Sequence, residues 1–408
     1  MKWYGFDEGR IGVGHAWTAA QVRDRIEDVF GTLGDRLPAA GEPVLIKPNL
    51  NNDLPPLSGN ATDLRVLAAL LGVLRDRGHG DLTIADGHNV GMERRRIDGF
   101  RRLRVDRLAR HHGARTVDLN RSEGREVRLA TGPTQVAREV LDAPFLIAVP
   151  KIKTHAEAGL SLAMKIWVGS VVAQHKREVH HDLARNIAAL GRVIRPHLIL
   201  LDGLVGMEGN GPGDGTPFRM ETLVASRHTA LVDVAAARLV DHPVSRIPPL
   251  VRAIEAGDLA ADLPTRVAAA IPVQRAIEAA PPRGKLAPLS EHRLLRPLKL
   301  AVRPFVDNPA VSGAAYRLGV IQDRYSAEDD GITSFFRREG LCTRCGRCAE
   351  VCPMSIPWEY IGAQEQGQSC ISCLSCFWIC PTDAIQTAGR RGFMEAHVQR
   401  YKDAISRL

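Results

Sequence analysis

The chain has 408 residues, room for two or three domains of ordinary size and for a core that needs no staples. Apolar residues make up 45% and charged residues 25%, which excludes a mainly disordered chain. The formal charge of +8 admits nucleic acid, anionic lipid or acidic metabolites as partners.

In chain order, short β-like runs alternate with helical runs up to about residue 242. Candidate strands are VLI at 44–46, LTIA at 82–85, RTVDL at 115–119, FLIAV at 145–149, LILL at 198–201 and TLVAS at 222–226. Several are continuous apolar runs, as expected of strands covered on both faces. Helices are predicted from Asn60 or Thr62 to Gly78, and over about Met92–Arg110, Ser161–Ala173, Asp182–Ile194 and Thr229–Val240. This alternation predicts an α/β fold: a mostly parallel sheet with flanking helices. Residues 91–128 hold twelve Arg and six acidic residues. Helical spacing turns Ile97, Phe100, Leu103 and Leu108 inward and leaves the Arg on a solvated face. Aromatic stacking residues are lacking there, which argues against nucleic acid.

Residues 243–335 form a Pro-broken helical connecting region. Its stretch 283–325 carries eight basic and three acidic residues. A basic wrap joining two domains is the plain reading; a peripheral surface for anionic lipid or an acidic redox partner is the sharper one. No apolar run approaches the roughly 18 residues of a membrane span. The opening MKWYGFDEGR has no signal-like stretch, so a cytoplasmic location is expected.

All eight Cys fall between Cys342 and Cys380, which speaks against a disulfide framework and for metal ligation. Cys342, Cys345, Cys348 and Cys352 run as C-x2-C-x2-C-x3-C before Pro353, and Cys370, Cys373, Cys376 and Cys380 repeat the run before Pro381. This resembles the spacing of bacterial two-cluster ferredoxins, an α+β module for two 4Fe–4S clusters over residues 336–390. Three close thiolates wrap one cluster and the fourth crosses to the other. One cluster is then expected on Cys342, Cys345, Cys348 and Cys380, the other on Cys370, Cys373, Cys376 and Cys352. Zinc sites use separated C-x2-C pairs rather than triplets closing on C-P. A C-terminal helix is expected over 391–408.

Ligands of open α/β sheets bind beyond the carboxyl ends of the strands. Lys47 and Asn49 follow VLI, Asp86 follows LTIA, Lys151, Lys153 and His155 follow FLIAV, and Asp202 follows LILL. Lys151, Lys153 and His155 have period two and share one side of an extended chain. Clustered cations call for an anion, a carboxylate or phosphate, and crowding lowers a Lys pKa toward neutrality. Lys165 follows, flanked by apolar residues. His175, His180, His181 and Asp182 read as substrate contact or helix cap rather than as a metal site. The Gly-rich run 206–217 can form an anion nest that brings Glu208 and Asn210 to the crevice.

VLIKPNLN at 44–51, IADG at 84–87, PKIKTH at 150–155, GLSLAMKIWVG at 159–169, HLILLDGLVGMEGNGPGDGTP at 197–217 and HTALVDVAAARL at 228–239 resemble the family called domain of unknown function 362. The resemblance implies an α/β domain over about 1–242, commonly fused to a ferredoxin module. Its polar positions fall on Lys47, Asn49, Lys153, His155, Lys165, Asp202, Glu208, Asn210 and Asp233, with Ile166 where such proteins often carry Asn.

Together these features lead us to expect an iron–sulfur oxidoreductase that reduces a small anionic substrate. In it Lys47, Asn49, Asp86, Lys151, Asp202, Glu208 and Asn210 bind, and Lys153, His155 and Lys165 act in catalysis. A ferredoxin or flavodoxin is the expected donor, since no flavin or nicotinamide motif is visible. The sequence leaves open a flavin or mononuclear metal held without a motif, and the oligomeric state. The rival readings are a non-catalytic electron carrier or assembly partner, and a non-redox enzyme with structural clusters.

Overall fold

The computed structural model describes residues 1–34, 37–281, 325–363 and 369–408. Most of the basic stretch 283–325 lies outside them. Fourteen strands are described: β1 Lys2–Phe6, β2 Gly9–His15, β3 Val44–Pro48, β4 Leu82–Asp86, β5 Arg115–Asp118, β6 Gly124–Leu129, β7 Gly132–Ala137, β8 Phe145–Val149, β9 Lys151–His155, β10 Gly159–Ser161, β11 Leu198–Glu208, β12 Thr216–Ser226, β13 Gly331–Arg337 and β14 Ile385–Arg390. The main sheet runs β1-β2-β12-β11-β8-β3-β4-β5. The five strands from β11 to β5 are parallel, and β12, β2 and β1 add an antiparallel edge.

Within the parallel part the strand order reverses between β3 and β8. That is the topological switch point of a doubly wound sheet, where the loops on either side part to leave a crevice. Side chains alternate between two cores. Val44 and Ile46 face the core built with helices Ala19–Thr32 and Leu64–Asp76, and Leu45 faces the opposite core with helices Leu183–Val193 and Thr229–Leu239. Leu250, Ala253, Leu263 and Val267, from helices Pro248–Glu255 and Leu263–Ala270, extend that second core.

Several elements differ from the sequence expectation. Asp63, not Asn60 or Thr62, caps helix Leu64–Asp76. The stretch read as one helix over 92–110 is three short ones, Val90–Arg94, Gly99–Arg102 and Val105–His111, interrupted at Arg96 and Arg104, whose φ values are 56° and 61°. Ile97, Phe100, Leu103 and Leu108 do point inward, but so do two of the Arg. Arg102 pairs with Asp53 at 2.8 Å and Asp329 at 3.0 Å, and Arg104 with Asp330 at 2.7 Å. The expected helix 161–173 is reduced to a 3-10 segment, Lys165–Ser170, because Ser161 ends β10. TLVAS is the antiparallel end of β12.

Candidate anion cleft and cysteine cavities

Strand β3 delivers Lys47 to the switch point, and β4 delivers Asp86 beside it. Lys47 Nζ donates to Asp86 Oδ1 at 2.6 Å, and both are almost fully buried. Asp86 also accepts from the backbone N–H groups of Leu50 at 2.6 Å and Gly87 at 2.9 Å. Burial pushes the Lys47 pKa down, against the pull of Asp86. Glycine is required next to this pair. A Cβ on Gly169 would lie 2.4 Å from Asp86 Oδ1 and 2.8 Å from Lys47 Nζ. A Cβ on Gly87 would lie 2.8 Å from Lys176 Nζ.

After β8 the chain passes Pro150 and resumes as β9, parallel to β11. Lys153 reaches back across the switch point to Asn60 O at 2.6 Å and Asn49 Oδ1 at 3.3 Å. No carboxylate is among these partners. Burial first, then the neighbouring charges of Lys165 and Lys151, hold its pKa well below the ordinary lysine value. His155 Nδ1 accepts from the N–H groups of Glu157 at 3.1 Å and Ala158 at 3.2 Å. In the neutral ring the proton must therefore sit on Nε2. Lys165 is held by the turn before it, because Asp233 accepts Ala163 N at 2.7 Å and Met164 N at 2.9 Å. Burial brings Lys165 down to about 8.

These side chains line one cleft of about 250 Å³: Lys47, Asn49, Asp86, Lys153, His155 and Lys165 all face it. The structure adds residues the sequence reading passed over. Lys176, Arg177, Asn51 and Asn89 also line it, as does His180. Lys176 is buried, donates to Val171 O at 2.7 Å and to Asn120 Oδ1, and is brought by burial to about 8. In sequence it stands in QHKREVHH, a charged run indistinguishable from a solvated surface.

Four expected site residues are placed elsewhere. Lys151 and Asp202 do not line the cleft; they form a fully buried ion pair at 2.8 Å. Asp202 also accepts Asp63 N at 2.7 Å, and Asp63 holds Arg65 at 2.7 Å. The pair thus ties β9 and β11 to the cap of helix Leu64–Asp76. Glu208 binds Arg275 at 3.0 Å and the Glu278 N–H at 3.0 Å, away from the cleft. Asn210 is exposed, and its carbonyl accepts Asp214 N at 3.0 Å. Of the loop before helix Leu183–Val193, Asp182 is the cap and His175 contacts Glu178 at 3.0 Å.

The eight Cys gather in two groups. One small cavity is lined by Cys342, Cys345, Cys348 and Cys380, the other by Cys352, Cys370, Cys373 and Cys376. Among the described residues no three His, Cys, Asp or Glu side chains converge as a single metal ion requires. Four sulfurs spread around a cavity fit a multi-atom cubane better than one ion. Burial pushes the thiols of Cys352 and Cys376 up, that of Cys348 to about 11 and that of Cys373 to about 12; ligation must draw off those protons.

A single loop serves both sites. Asn49 and Asn51 line the cleft, while Asp53, Pro55 and Pro56 line a small cavity shared with Cys373, Leu374 and Trp378. Asn51 and Asp53 are two residues apart, so their Cα atoms are separated by at most about 7 Å. The C-terminal helix Met394–Ser406 closes the contact: its His397 stands 3.4 Å from Asp53, and Tyr401 donates to Gly213 O at 3.2 Å.

Residues 44–238 match the family described as domain of unknown function (DUF362), and residues 337–357 and 368–386 match the 4Fe-4S binding domain. A thylakoid-associated protein of Synechocystis sp. is 26% identical over 220 residues, 51% of this chain and 66% of that protein, just under two thirds of its length. Among solved structures, the lactate racemase apoprotein from Thermoanaerobacterium thermosaccharolyticum gives a TM-score of 0.34 at 12% identity, covering 48% of this chain and 50% of that one. A structural-genomics crystal structure of a Thermotoga maritima protein gives 0.30 at 11% identity, covering 50% and 54%. Both are too distant to bear on the reaction. No helix among the described residues is long and apolar enough to cross a membrane.

Proposed function

We propose that this chain, in which a DUF362 domain is joined to a 4Fe–4S binding module, is an oxidoreductase that reduces a small substrate held by its carboxylate or phosphate group in the cleft at the β3/β8 switch point. The observation that carries this reading is the loop 49–56, which lines the cleft at one end and the Cys373 cavity at the other. Two 4Fe–4S clusters, on Cys342, Cys345, Cys348 and Cys380 and on Cys352, Cys370, Cys373 and Cys376, would supply one-electron transfer. An acceptor module of this kind draws on a ferredoxin or flavodoxin-type donor.

The rest belongs to the cleft. Lys153, whose hydrogen-bond partners include no carboxylate and whose pKa is held well below the ordinary value, gains its charge as the anion arrives beside it. Lys47, oriented by Asp86, adds a second. His155, whose Nδ1 accepts two backbone N–H groups, carries a proton on Nε2 with which to donate a hydrogen bond. Lys165, near 8, is able to give up a proton around neutral pH, as is Lys176 at the other side of the cleft.

The test uses full-length protein purified without oxygen, reduced chemically and mixed with small carboxylates and phosphates while its visible absorbance is followed. A substrate restores the oxidised spectrum. Lys153→Ala and Lys165→Met slow that reoxidation by roughly 10²–10⁴-fold with iron content unchanged. Full turnover in both variants sinks the assignment.

A further inference from the structure

The cleft is far more cationic than one small anion requires. Four lysines line it, Lys47, Lys153, Lys165 and Lys176, and one carboxylate, Asp86, lines it with them. The lysines fall into two groups. Lys153 and Lys165 act on each other, and Ser161 stands opposite Lys153 in the β9–β10 ladder. Ser161 lines the cleft and is 3% exposed, and its buried hydroxyl has no hydrogen-bond partner among the described residues. A buried hydroxyl without a partner costs about 1–3 kcal/mol, which a bound anion relieves. The other group is Lys47 and Lys176, packed on either side of the Gly87–Gly169 contact, where Gly87 N donates to Gly169 O at 3.0 Å. Asp86 is hydrogen-bonded to Lys47, whereas Lys176 donates to two neutral oxygens, Val171 O and Asn120 Oδ1, and feels Asp86, Asp118 and Glu93 only from farther off.

We infer that the ligand carries two anionic groups, one held by Lys153, Lys165 and the Ser161 hydroxyl, the other by Lys47 and Lys176. At about 250 Å³ the cleft suits a small dicarboxylate or phosphorylated hydroxy acid and is too small for a nucleotide. This rests on the cleft being the ligand site, as proposed above, but not on any electron reaching it.

The experiment is calorimetric titration of the iron-loaded full chain with lactate, malate and 3-phosphoglycerate at one pH and ionic strength. Malate or 3-phosphoglycerate binds roughly tenfold or more tightly than lactate, as a second charge-assisted contact predicts. Lys165→Met and Lys176→Met each bring dianion affinity down toward that of lactate. Lactate itself is weakened by only one of the two changes, because it occupies one end. Equal affinity for lactate, malate and 3-phosphoglycerate overturns the inference without recourse to any variant. So does a uniform loss of all three ligands in both variants. If dianions bind more tightly but never reoxidise the reduced protein, the two-ended site stands and the oxidoreductase reading falls.

Discussion

The carboxylate of Asp233 accepts two backbone N–H groups from the turn that presents Lys165, yet burial still pushes its pKa up to about 7. A folded pKa above the unfolded value of 3.8 means that stability from this group is complete below about 4 and is lost as pH rises to about 7. The span amounts to something on the order of 4 kcal/mol. Asp233→Asn has no such titration, so denaturant unfolding at pH 5 and pH 8 is expected to show the wild type's advantage shrinking at the higher pH. An unchanged difference means the carboxyl is ionised at both. Lys165 and Lys176, both near 8, set the opposite trend for ligands. Anion affinity is full below about 8 and falls above it, by up to about tenfold per pH unit for each lysine that must be charged. A flat profile from pH 7 to 9.5 tells against both. Lys47, Lys153 and Lys165 were legible because each follows a strand or a matched motif. Lys151 was not separable from them, since only the fold reveals Asp202 beside it.

At the level of elements, the site depends on backbones that meet without side chains between them. Gly169→Ala forces its Cβ against the side-chain ends of Asp86 and Lys47, so that either their ion pair or the 3-10 segment must shift. A loss of about 1–3 kcal/mol is expected, with weaker anion binding; thermal melting and titration read the two separately. A variant as stable and as tight as wild type means the pair or the segment moves freely. The parallel strands were legible because a run such as FLIAV, buried on both faces, has no other comfortable place. The hairpins β1–β2 and β6–β7 were not, since their mixed exposure blurs the period. The broken helix over 90–111 kept its apolar phase and so hid its breaks. What turns Arg102 and Arg104 inward is Asp53, Asp329 and Asp330, acids distant in the chain.

Across the whole molecule, those acids weld the parts together. Arg102→Ala leaves the buried Asp53 with His397 as its remaining side-chain partner, a change of about 3–5 kcal/mol for a broken buried pair. Hydrogen exchange is expected to rise in 369–408 more than in the parallel strands; equal rises point to global unfolding. The ferredoxin-type module itself was the most legible feature of the chain, because cysteine spacing states its own chemistry. How it docks was not, because docking is written in Trp17, Leu54, Leu57, Val205 and Met207, which look like ordinary core residues. These five share one apolar cluster with Cys352, Cys376 and Cys380. Were the module to lose its shape when starved of iron, that face would be laid open to solvent. Newly made chains that miss their iron would be marked by this stickiness for capture and disposal, so the cell's iron supply would govern how long the protein lasts as well as whether it works.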